Sequence, residues 1–211
     1  MSSIKLKHAS GNAVSIAAPE SNPASDRTLY VPSNANGTIL TNTTAGCILQ
    51  VKQNSDTTST DSISLSSNGS YYDITNMTVA ITPSSASNKI LISFMGMGEG
   101  NEGDHAFRYR LKRVVGGATT AIQGAASGSR TTCMGVVPVS YLGDDNSSTP
   151  SNFFISNYLD SPSTTSEITY TVQMNCSVNS KTWYVNRSTD DSDAASHERG
   201  MSFITVMEVA A

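Results

Sequence analysis

Apolar and polar side chains alternate with a period of two along much of this chain. In Ile168, Tyr170, Val172 and Met174 every second residue is apolar, and Glu167, Thr169, Thr171 and Gln173 between them are polar. A strand turns successive side chains to opposite faces, so the pattern predicts one face in a core and the other in water. The segment at 203–209 differs, because Phe203 and Met207 on one parity and Ile204 and Val206 on the other make both faces mostly apolar. Such a strand is expected at the centre of a sheet or beneath a partner chain. Strand-like segments also fall at 47–52, 62–65, 77–81, 89–95, 107–115, 119–123, 134–142, 152–158 and 182–186. Turn formers separate several of them, among them Gly116-Gly117, Gly143 through Asn146 and Ser161-Pro162-Ser163. No run of ten or more residues carries apolar positions at helical spacing behind a cap. The expected fold class is all-β: an antiparallel β-sandwich, jelly-roll-like, with about ten strands in roughly 165 residues.

Residues 4 to about 45 read differently. Short strand-like pieces at 4–7, 13–17, 28–31 and 38–41 alternate with the turn clusters Ser10-Gly11-Asn12, Pro19 through Asp26 and Pro32 through Gly37. Large apolar side chains are few there, whereas ordering the backbone costs about 1 to 2 kcal/mol per residue. Alone, the stretch cannot bury enough area to offset that cost. It is expected to pack on the following domain or to pair with copies of itself. The chain thus divides into 1–45, an N-terminal extension of short β-strands that anchors and oligomerises, and 46–211, a β-sandwich head domain.

Composition narrows the function classes. Only 14% of the 211 residues are charged, and the net charge of -4 with a pI near 5.3 leaves no basic footprint for nucleic acid. The concentrated positive run is Arg108, Arg110, Lys112 and Arg113, whose alternation with Tyr109 and Leu111 reads as one solvated strand face. Cys47, Cys133 and Cys176 are odd in number, far apart and at no metal-ligand spacing, so they read as free thiols. The opening MSSIKLKHAS lacks the apolar run of a secretory signal. No window nears the roughly 18 apolar residues of a membrane span. Synthesis in a cytoplasm without membrane insertion is expected.

Candidate chemistry is sparse. His8, His105 and His197 are scattered, and none has a second histidine three or four positions away. The acidic runs Asp190-Asp191-Ser192-Asp193 and 99–104 lack the order of a calcium loop and read as solvated loops. Gly96-Met97-Gly98-Glu99-Gly100 follows a strand but opens no helix, so no helix-terminal amides would hold a pyrophosphate, and it reads as a flexible inter-strand loop. No serine sits in a nucleophile-elbow sequence. A polysaccharide hydrolase would need paired carboxylates along a groove, and no pairing is legible. Trp183, within a strand, reads as core ahead of a carbohydrate platform. No catalytic, cofactor-binding or metal-ligating residue is assigned, no cofactor is expected, and the chain is expected not to be an enzyme.

Several segments carry a resemblance. They are Ile4 through Asn12, Val14 through Pro19, Ser21 through Leu29 and Gly37 through Leu40, then Val79 through Ser85, Asn88 through Ile92, Leu159 through Pro162, Ile168-Thr169-Tyr170, Asn186-Arg187-Ser188 and Ile204 through Ala211. Together they resemble a family of tail-fibre-like and virion structural proteins from marine phages, especially cyanophages. The resemblance implies a virion component on tail or capsid, present in several copies and assembled in the host cytoplasm. It also implies a homotrimer, and the strand deficit of residues 4–45 puts that stretch in the interface. Other virion proteins would be partners, and a host cell-surface glycan or protein the target. At this length a short fibre or knob involved in host attachment fits better than a long fibre. A capsid decoration protein that stabilises the shell is the alternative, and a surface-polysaccharide hydrolase comes third.

Overall fold

The period-two alternation is realised as strands throughout the computed structural model, which describes residues 3–7, 10–11, 13–17, 45–58, 61–101, 106–137 and 149–211. The chain divides into two units, Met1–Ile39 and Leu40–Ala211. In the first, β1 (Ser3–Lys7) and β2 (Ala13–Ala17) pair antiparallel, with Ile4 opposite Ile16 and Leu6 opposite Val14. Gly11, at φ 112°, supplies the left-handed backbone of the connection. The strands expected at 28–31 and 38–41 lie outside the described residues.

The second unit holds eleven of the thirteen described strands: β3 (Ile48–Asp56), β4 (Ser62–Leu65), β5 (Tyr72–Ile81), β6 (Lys89–Gly100), β7 (Phe107–Val115), β8 (Ala118–Ile122), β9 (Gly135–Val136), β10 (Ser151–Asp160), β11 (Ile168–Cys176), β12 (Lys181–Val185) and β13 (Ser202–Val209). They form two antiparallel sheets packed face to face. One sheet runs β3-β13-β6-β12-β4, with β10 on the free edge of β6; the other runs β5-β11-β7-β8, with β9 also on β7. The pairs β3 with β13, β5 with β11, β6 with β10 and β7 with β9 are nested, the first half of the chain meeting the second half in reverse. This strand order, β3-β13-β6-β10 over β5-β11-β7-β9, is the jelly roll expected from the alternation.

The core lies between the sheets. Ile90, Ile92, Phe94, Ile204, Val206, Phe153 and Ile155 point inward from one side, and Val79, Ile81, Leu111, Ile168, Tyr170, Val172 and Met174 from the other. β13 is central, between β3 and β6, as its apolar parity on both faces predicts. The glycine run is not a loop: Gly96, Gly98 and Gly100 are inward positions of β6 itself. An added Cβ on Gly96 would lie 2.6 Å from the Phe153 ring, one on Gly98 would lie 2.8 Å from the Trp183 indole, and one on Gly100 would strike Phe107. The glycines make room for a cluster in which Phe153 meets Phe94, Tyr109 and Trp183 at centroid distances of 5.2, 5.1 and 5.6 Å. Trp183 is core, as its place in a strand suggests.

Three further readings need correction or narrowing. Of the strand expected at 134–142, only β9 forms among the described residues, and 138–142 lie outside them. Arg113 breaks the parity of the basic run, because it turns inward and donates from Nη1 to both oxygens of Asp160 at 2.8 Å. On β11, Thr171 and Gln173 belong to the outward face but are buried, roofed by side chains of their own sheet.

β12 and β13 lie one after the other along the same edge of β6, opposite 98–100 and 89–95 respectively. Between them residues 186–201 leave the sheet and return. Asn186, at φ 58°, closes the gap: its N–H donates to Met97 O at 3.0 Å, its Nδ2 donates to Asp56 O at 3.1 Å, and its Oδ1 accepts from Ser202 Oγ at 2.7 Å.

Candidate functional site: an apolar sheet face

The side chains with the most chemical potential are occupied in holding the fold. Arg108 donates to Asn175 Oδ1 at 2.6 Å, Arg110 to Gln173 Oε1 at 2.8 Å, and Lys112 pairs with Asp73. Arg110 also lies over the Tyr71 ring, 4.0 Å from its centroid. Arg108, Arg110 and Lys112 are therefore committed to a network on the outer face of the β5-β11-β7 sheet. Glu208 is buried on β13, where its carboxylate accepts from Gln50 Nε2 and Asn88 Nδ2 at 2.6 Å and from Ser84 N and Oγ at 2.7 Å. Burial alone would raise its pKa; the donors outweigh that and hold it down to about 2.

In the 186–201 excursion, Ser192, His197 and Asp190 come together. The Nδ1 of His197 lies 3.2 Å from both the Oγ and the carbonyl oxygen of Ser192, and its Nε2 lies 3.8 Å from Asp190 Oδ2. Nδ1 thus faces the hydroxyl and the carbonyl oxygen of Ser192 alike, both within one exposed turn. The cluster braces an exposed turn. Glu99 anchors the same excursion by accepting from Thr189 N at 2.6 Å; desolvation raises its pKa, with Glu198 nearby adding to the rise. Among the described residues no three His, Cys, Asp or Glu side chains gather as a metal site. His8 and His105 lie outside those residues.

What stands out is the outer face of the β3-β13-β6-β10 sheet. Strand register aligns its side chains in rows. Val51, Met207, Leu91 and Leu159 form one apolar row, and Phe203, Met95 and Phe154 with Ser55 form another. Between them runs Gln53, Thr205 and Ser93, with Asn157 in the adjacent bulge. Ile48 lies beside Val209 at one end and Met97 beside Asn152 at the other. Val51 is 53% exposed, Phe154 51% and Leu159 45%. Single exposed apolar side chains are ordinary; contiguous rows across four strands mark an interaction surface.

The two outer faces differ in kind. One is polar, charged and cross-linked within itself; the other is apolar and open. Along the sequence this signal is plain in β13 alone. The same doubled parity is present in β6, where Leu91, Met95 and Met97 face outward against Ile90, Ile92 and Phe94 inward. Phe154 and Leu159 on β10 add to it, and neither is recognisable as outward until the register is known. The sequence matches no known family model and no curated protein.

Proposed function

We propose that this chain is a non-enzymatic structural protein of a tailed-phage virion, a short fibre or knob. Its jelly-roll head is covered on the apolar sheet in the assembled particle and presents its polar sheet and end loops outward, towards a host-surface glycan or protein. The observation that carries this reading is the contrast between the two outer faces of one sandwich. A soluble monomer rarely leaves apolar rows uncovered across a whole sheet, whereas a protein that works in an assembly requires them. The segments that resemble marine-phage virion proteins supply the setting, and with it a homotrimer. A fold of this kind hosts many roles, so the role is argued from the face and not from the topology.

Electron microscopy of virions labelled with an antibody against the polar sheet tests the reading. Labelling at the tail, in few copies per particle, is expected. Dense labelling over the shell would replace the fibre with a capsid decoration. Absence of the chain from purified particles, or turnover of surface glycans lost on a single Asp or Glu substitution, would overturn the proposal.

A further inference from the structure

We infer that Arg108 and Arg110 form a binding site for an acidic sugar, held by the carboxylate or sulfate group of a host-surface glycan. The inference rests on the virion reading above and gives its target a chemical class.

On the outer face of the β5-β11-β7 sheet, among the described strand residues, the charged side chains are Arg108, Arg110, Lys112 and Asp73. Asp73 is engaged by Lys112 and by Gln173, whose Nε2 donates to it at 2.8 Å. Arg108 and Arg110 donate to neutral acceptors: Asn175 Oδ1 and Cys176 O for the first, Gln173 Oε1 and Gln123 Oε1 for the second. Those bonds fix the guanidiniums in place without cancelling either charge. Desolvation lowers the pKa of Arg110, and Tyr71 and Asp73 offset only part of that, yet an arginine stays charged at any usable pH. Two cations are thus held in position without a countercharge, in a chain whose net charge is -4.

Both side chains keep donors to offer. Arg108 bonds through Nη2, and Arg110 through Nε and Nη1, so Arg108 Nη1 and Arg110 Nη2 have no partner among the described residues. Arg108 Nε is buried and unpaired as well. The two residues share one face of β7 at a spacing of roughly 7 Å along the strand. An oxyanion set against them supplies acceptors and negative charge together, through bonds about twice as strong as neutral ones.

The surroundings favour a sugar as the carrier of that group. Neutral hydroxyl and amide side chains line the face, Thr78, Thr119, Thr169 and Asn175 among them, and Arg110 lies flat over the Tyr71 ring. Such groups match the hydroxyls of a sugar. A protein partner would ask for an apolar centre, and on this face Val136 is the strongly exposed large apolar side chain among the described residues. Nucleic acid would ask for a longer basic stripe, which this acidic chain does not offer.

The test passes the full chain over immobilised polygalacturonate, dextran sulfate, neutral dextran and poly-glutamate by surface plasmon resonance. Binding to polygalacturonate, dextran sulfate or both is expected, the two arms telling carboxylate from sulfate, with none to dextran and little to poly-glutamate. Val136 stands directly opposite Arg108 and is 51% exposed, so Val136→Glu sets a carboxylate beside the site without touching the core. It is expected to weaken binding at least about tenfold, as is Arg110→Gln. Ala80→Glu adds the same charge to the same face about 13 Å further along the strands, beyond the Debye length of about 10 Å, and should bind as wild type does.

Binding unchanged in Val136→Glu would put the site elsewhere, and equal binding to poly-glutamate would give the face to an acidic protein. Either result, or a wild type that binds no polyanion, overturns this inference and leaves the virion reading standing. A chain absent from particles that still loses polysaccharide binding in Val136→Glu would keep the site and sink the virion reading.

Discussion

The hydroxyl of Tyr170 on β11 donates to Asp160 Oδ2 on β10 at 2.7 Å, tying one sheet to the other inside the sandwich. Arg113 completes the group by donating to both Asp160 oxygens. Burial, and then the hydrogen bond to Asp160, push the Tyr170 hydroxyl far above its ordinary range, so it stays a donor at every usable pH.

Removing one member strands the others. Tyr170→Phe is expected to cost about 1 to 3 kcal/mol in urea unfolding, the penalty of a buried acceptor that loses a donor. Asp160→Ala should cost more, about 3 to 5 kcal/mol, because it leaves the Arg113 cation without its carboxylate in a largely buried site. Equal losses for the two variants would mean that Arg113 is not dependent on Asp160.

Gly98 measures how tightly the aromatic cluster is packed. A Cβ there would meet Tyr184 O and the Trp183 indole, so Gly98→Ala is expected to lose at least about 1 to 3 kcal/mol through overpacking. At Gly69 the nearest atom to an added Cβ is Ser67 Oγ at 3.8 Å, and Gly69→Ala should stay within about 0.5 kcal/mol of wild type. Chemical denaturation of the pair separates packing from backbone effects.

Glu208 predicts an acid limb. Its folded pKa is depressed from 4.5 to about 2, so its contribution is fully present above pH 4.5 and is lost as the pH falls towards 2. The contribution is on the order of 3 kcal/mol. Wild type should therefore lose stability between pH 4.5 and 2 more steeply than Glu208→Gln, the two curves converging at the acid end. Parallel curves would contradict the role assigned to the carboxylate.

The three cysteines are unbridged, with Cys47 and Cys133 partly exposed and Cys176 buried. A thiol reagent on the native protein is expected to modify Cys47 and Cys133, and Cys176 only after unfolding. Peptide mapping after a native pulse checks this.

The fold was legible because alternation is a local property. Ile168 through Met174 announces a half-buried strand without reference to anything else in the chain. The glycine run misled because its partners are remote: Gly98 is explained by Trp183, far along the sequence, and the sequence offers no reason to bring them together. Arg113 reads with Arg108 and Arg110 for the same reason, its carboxylate being Asp160 on a different strand. The face was half legible. Two-sided apolar parity at Phe203 through Val209 pointed to a covered strand, but Leu91, Phe154 and Val51 join it only through the register of three strand pairs.

The measurement that bears most directly on the account is the solution mass of the full chain at micromolar concentration, by sedimentation equilibrium. The account predicts a homo-oligomer, with three times the chain mass of 22.2 kDa as the expected value. A stable species of 22.2 kDa, its apolar sheet open to solvent, would contradict it.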